Sequence, residues 1–68
     1  MIQVNDALTE REVTVLRKII EGMTLKQIAS EAFRSESWVK HTILSIVDKA
    51  KAQNIKQAIY ILAKSGII

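Results

Sequence analysis

Ser35-Glu36-Ser37-Trp38-Val39-Lys40-His41-Thr42-Ile43-Leu44-Ser45-Ile46-Val47-Asp48-Lys49-Ala50-Lys51 decides how the chain reads. At about 100° per residue, Val39, Ile43, Ile46 and Ala50 fall in one narrow arc, with Val47 beside it. That is helical periodicity, not the alternation of a half-buried strand. The opposite arc holds Ser37, His41, Leu44 and Asp48, flanked by Lys40, Lys51 and Ser45. A helix that buries one face and presents mixed hydrogen-bonding, basic and apolar groups on the other suits a nucleic-acid groove. It equally suits an ordinary surface position.

Upstream, Thr24-Leu25-Lys26-Gln27 is a capping box, with Thr24 at the N-cap and Gln27 at N3. Leu25, Ile28, Ala29 and Ala32 then give a short amphipathic helix, and Phe33 is expected as a core anchor. Ser35 is the expected N-cap of the long helix. Further back, Thr9-Glu10-Arg11-Glu12 is a second capping box, with Leu8 and Val13 placed as a hydrophobic staple. Val15, Leu16, Ile19 and Ile20 supply the buried face of that first helix, and Gly22 ends it in a positive-φ position. Residues 1–7 form a short lead-in.

Downstream, the long helix is expected to end between Lys51 and Gln53. Asn54 caps a fourth helix whose inward stripe is Ile55, Ala58, Ile59 and Leu62. Tyr60, Ile61 and Lys64 point outward. Gly66 is the stop, and Ile67-Ile68 are expected to fold back onto the core. The fold expected is all-α: one four-helix domain over residues 1–68, with helices 2 and 3 forming a helix-turn-helix.

Composition narrows the function. A chain of 68 residues buries only roughly 60% of its unfolded surface, so its core is thin. The sequence has no cysteine and one histidine, so it offers no thiolate or multi-histidine metal site. This composition fits the reducing cytoplasm. There is no apolar run of membrane-spanning length and no signal sequence. Residues 1–33 hold four basic and five acidic side chains, and residues 34–68 hold six basic and two acidic. The basic half contains the long helix, which points to a polyanionic partner. No paired carboxylates, Gly-rich phosphate loop or histidine-activated serine emerges, so the chain is not expected to be an enzyme, and no cofactor or metal is expected.

A short helix joined by a tight turn to a longer amphipathic one is the helix-turn-helix arrangement. Pattern alone leaves this open, because any small helical bundle contains such pairs. The ordered motifs go further. Leu8-Thr9-Glu10-Arg11-Glu12, Val15-Leu16 and Glu21-Gly22 resemble the "LTxRExxVLxxxxxG" opening of the LuxR-type (GerE-like) DNA-binding domain. Lys26-Gln27-Ile28-Ala29 is similar to its "KEIA" segment, and Ser35-Glu36 with Val39-Lys40 to its "SExTVK". Ile46, Lys49 and Gln57-Ala58 continue the match, which covers residues 8–67. The resemblance implies a four-helix bacterial transcription regulator, more often an activator. Its third helix would read the major groove of double-stranded DNA, and the outer face of its fourth would form a weak homodimer.

On that resemblance, Lys40, His41, Leu44 and Ser37 are the candidate base contacts, Leu44 toward a thymine methyl. Lys26, Thr24, Ser35, Trp38 and Lys49 are the candidate phosphate contacts, which position without specifying. Tyr60, Ile61 and Lys64 are the candidate dimer contacts. The chain departs from the family pattern at Arg34, an aliphatic slot, and at Trp38, a small-residue slot. His41-Thr42 inverts the usual order, and Leu44 and Asp48 replace polar or basic residues. Lys51-Ala52 replaces Gly-Val and predicts a longer third helix. The alternative reading is a protein-interaction module that binds another regulator or RNA polymerase through Trp38 and Leu44. The chain is either a stand-alone regulator or the C-terminal domain of a longer one.

Overall fold

A computed structural model describes residues 8–66. The lead-in 1–7 and the fold-back of Ile67-Ile68 lie outside the described residues. Four helices follow in order: α1 Glu10–Ile20, α2 Leu25–Ala32, α3 Glu36–Lys49 and α4 Ile55–Lys64.

Each helix starts where a side chain satisfies its first free N–H groups. The Thr9 hydroxyl accepts from the Glu12 N–H at 3.1 Å, and the Thr9 N–H donates to Glu12 Oε1 at 2.9 Å. Thr24 and Gln27 repeat that box at the same two distances, 3.1 and 2.9 Å. Ser35 and Asn54 cap α3 and α4 by accepting from the N–H groups of Trp38 and Gln57. Both predicted capping boxes and both predicted single caps are therefore formed.

The first three helices end alike. Met23 N–H bonds the Lys18 carbonyl at 3.1 Å, Arg34 N–H the Ala29 carbonyl at 3.0 Å, and Ala52 N–H the Val47 carbonyl at 3.0 Å. Such a closure needs a left-handed residue just before the donor. Gly22 fills that place at φ 94°, but Phe33 and Lys51 fill it at φ 57° and 56°. Two expectations fall here. The helix α3 stops at Lys49 rather than at 51–53, because the chain reverses at Lys51 even without glycine. Phe33 is no core anchor: the reversal turns its ring outward, leaving it 93% exposed.

The core consists of two clusters. Val15, Ile28, Ala29 and Val39 join α1, α2 and α3, with Met23, Trp38 and Ile43 packed against them. Leu16, Ile46, Ala58 and Leu62 join α1, α3 and α4, with Leu8, Ala52 and Ile55 against them. Helices α1 and α3 thus belong to both clusters, while α2 and α4 each complete one. Ile20, expected on the buried face, is half exposed at the end of α1. It borders a shallow cleft of about 360 Å³ with Arg17, Glu21, Ile59 and Ala63.

Candidate nucleic-acid interface

Because α3 is shared by both clusters, its rotation about its own axis is fixed. Val39, Thr42 and Ile46 are buried, and Ser37, Lys40, His41, Leu44 and Asp48 are exposed. The inverted His41-Thr42 order has a structural outcome. Thr42 faces inward, where its hydroxyl donates to the Trp38 carbonyl at 2.9 Å, and His41 is left on the open face. Leu44 is 63% exposed beside it. All four candidate base contacts, Ser37, Lys40, His41 and Leu44, therefore share one accessible face.

The candidate phosphate contacts are placed less uniformly. Lys26 is exposed in the first turn of α2. Thr24 uses both its N–H and its hydroxyl lone pair inside the capping box. Ser35 likewise spends its lone pair on the Trp38 N–H, at 3.1 Å. What these two hydroxyls still have to offer an anion is their own O–H. Trp38 is half-buried, with the Arg34 guanidinium 5.3 Å and the Arg11 guanidinium 5.9 Å from its ring centre.

Lys49 points back into the fold. Its ammonium donates to Glu12 Oε1 at 2.8 Å, and Ser45 donates to Glu12 Oε2 at 2.7 Å. Glu12 is buried. Burial alone would raise its pKa, but the hydrogen bonds from Lys49, the Thr9 N–H and Ser45, with the Lys49 charge, together hold it below its ordinary value. Sequence reasoning read Glu12 only as a cap. One signal was available: Glu12, Val15, Leu16 and Ile19 have the spacing of a buried stripe, so the carboxylate needed a partner inside the fold.

A second ion pair ties α1 to α2. Lys18 Nζ lies 2.6 Å from Glu31 Oε1. On α4, Tyr60 is 63% exposed, and Lys64 Nζ stands 5.5 Å from its ring centre. Ile61 is half-buried beside them. Among the described residues, no group of histidine, cysteine, aspartate and glutamate side chains could hold a metal ion, and no helix is long and apolar enough to cross a membrane.

The sequence model of the bacterial regulatory proteins of the luxR family matches residues 6–62. The chain is similar to the uncharacterized transcriptional regulatory protein YxjL of Bacillus subtilis, 35% identical over 63 residues, which is 93% of this chain and 29% of that protein. The transcriptional regulatory protein YdfI of the same organism is 39% identical over 61 residues, 90% of this chain and 29% of that protein. The spore germination protein GerE, also of Bacillus subtilis, is 36% identical over 59 residues, 87% of this chain and 80% of that protein. The chain thus spans less than a third of YxjL and YdfI but most of GerE.

Proposed function

Since this chain belongs to the luxR family of bacterial regulatory proteins, we propose that its four helices act as one sequence-specific DNA-binding unit of a transcription regulator. The family is one of regulators, not enzymes. In this reading α3 enters the major groove with Ser37, Lys40, His41 and Leu44 toward base edges. Helix α2 lies across the phosphate backbone with Lys26 as its anchor. Two copies meet weakly through Tyr60, Ile61 and Lys64 on α4, and occupy half-sites about one helical turn apart. Bound near a promoter, such a pair acts as an activator.

The observation that carries the reading is the exposed face of α3. Basic, imidazole and hydroxyl groups sit on a helix whose opposite side is locked into two core clusters. Selection from a random duplex pool tests it. The expected outcome is a paired, symmetric motif. Recovery of no motif, with no amide shift changes in residues 24–27 and 35–49 at low salt, would sink it.

A second reading has its own support. Phe33 at 93% exposed and Leu44 at 63% are large apolar groups on the helix-turn-helix surface, and such groups also suit a protein partner such as another regulator or RNA polymerase. Saturable binding of that partner, lost in Leu44→Ser or Trp38→Ala while DNA elicits no response, would favour it.

A further inference from the structure

Trp38 brings together two cations from distant parts of the chain. Arg11 stands in the first turn of α1, and Arg34 in the turn before α3, yet both guanidiniums lie within 6 Å of one indole ring, at 5.9 and 5.3 Å. Neither forms an ion pair among the described residues. They border a cleft of about 240 Å³ with Lys18 and Trp38, over a floor of Val15 and Ile28. No carboxylate lines that cleft, and the Lys18 charge is engaged by Glu31.

Two like charges held against one ring repel each other. The attraction of each to the face of the ring holds both near it. An anion between them removes the repulsion. Guanidinium forks match the oxygens of a phosphate, and stacking on a ring restricts them before the ligand arrives. The Trp38 side chain packs against the cluster of Val15, Ile28, Ala29 and Val39, and its main chain is fixed by its backbone N–H donating to Ser35 Oγ and its carbonyl accepting from the Thr42 hydroxyl. A second cleft, of about 290 Å³, shares Arg11 and Trp38 and runs on past Glu12, whose carboxylate is paired with Lys49, to His41 and Ser45. The cationic site is therefore continuous with the open face of α3.

We propose that Arg11 and Arg34, stacked on Trp38, form a clamp for a phosphodiester of the DNA strand beside the groove, with Trp38 as its positioning residue. The clamp rests on the reading that α3 faces DNA, and adds to it a backbone contact made by the start of α1. It replaces, with two cations on one ring, what an aliphatic residue at 34 and a small residue at 38 cannot provide.

The test is the binding of a labelled mixed-sequence duplex across a salt series. The double variant Arg11→Gln/Arg34→Gln is expected to weaken binding about tenfold on all sequences alike. It should also lower the slope of log affinity against log salt by about 0.9. Arg34→Lys keeps the charge without the planar fork and should hold the slope while losing affinity. In a Trp38→Leu background the Arg34→Gln effect should shrink, whereas Trp38→Phe, which keeps a ring, should retain it. Both arginines are exposed, so thermal unfolding of their variants should match the parent. An unchanged slope in the double variant, with Lys40→Ala still altering sequence preference, overturns the clamp and leaves the DNA reading standing. Absence of salt-dependent binding by the parent chain overturns both. Saturable binding of inorganic phosphate, with duplex affinity untouched in the double variant, overturns the clamp in favour of a small-anion site.

Discussion

Glu12 and Lys49 join the start of α1 to the end of α3 through a 2.8 Å contact, and the same carboxylate oxygen also receives the Thr9 N–H. One side chain therefore finishes the cap of one helix and fixes the far end of another. The Glu12 side chain is 10% exposed and that of Lys49 31%, so removing the cation strands a largely buried charge, while removing the charge strands little. Lys49→Met is expected to destabilise by about 1–3 kcal/mol, below the cost for a fully buried pair. At about 4–8 °C of melting temperature per kcal/mol, thermal unfolding resolves it. A Glu12→Gln/Lys49→Met double variant should lose less than the two single losses added together.

The same carboxylate gives the fold a pH dependence. In the unfolded chain Glu12 takes up its proton around 4.5, and in the folded chain at lower pH. Between those two values the unfolded state binds more protons, so acidification favours unfolding there. The Glu12 contribution is complete above 4.5 and gone below the folded value. Denaturant unfolding across an acid series should show this loss in the parent and a flatter profile in Glu12→Gln.

Phe33 and Lys51 hold left-handed backbone without glycine, at φ 57° and 56°. For an L-residue that conformation costs about 1–2 kcal/mol, part of which glycine returns as unfolded-state entropy. Lys51→Gly and Phe33→Gly are each expected to stabilise by about 0.5–1 kcal/mol. A melting temperature that falls in Lys51→Gly would count against the closure described for α3.

On DNA, the face of α3 and the start of α2 should separate cleanly. Lys26→Ala should weaken all duplexes alike and reduce the salt slope by about 0.9. Lys40→Ala and His41→Ala should change the ranking of duplexes, each by about 1–3 kcal/mol at the position read. Competition assays on single-base variants of the selected site distinguish the two patterns.

Tyr60→Ala should abolish cooperativity between half-sites and leave affinity for a single half-site unchanged. Tyr60 is 63% exposed, and its side chain belongs to neither core cluster. Gel-shift titration on one and two half-sites measures this directly.

What was legible in the sequence was local. Thr9 with Glu12, and Thr24 with Gln27, are three residues apart, and a cap needs nothing more distant. The outward row of α3 follows from its stripe, because a helix with one buried arc has only one open one. Phe33 misled because an apolar residue at the end of a stripe normally continues it, and only the backbone reversal turns it out. Lys51 misled for the related reason that the missing glycine removed the usual stop signal. Glu12 with Lys49, and Arg11 with Trp38 and Arg34, need helices to meet across the fold, and spacing along the chain does not encode that meeting. For the candidate site, the accessible face was therefore readable, while the company kept by Trp38 and Lys49 was not.

The division of the core into two clusters with no common residue bears on how such a chain can change over generations. Repacking around Ala58 and Leu62 alters the seating of α4, whose outer face carries the proposed dimer contacts, and repacking around Ile28 and Ala29 alters how α2 supports α3. Well-separated substitutions add to within about 0.5 kcal/mol, so drift on α2 and drift on α4, which each complete one cluster, leave each other free, whereas Val15 and Leu16 adjoin on α1 and do not. Under the proposed DNA-binding reading, pairing of copies and sequence preference then diversify along separate lineages, each tried without forfeiting the other.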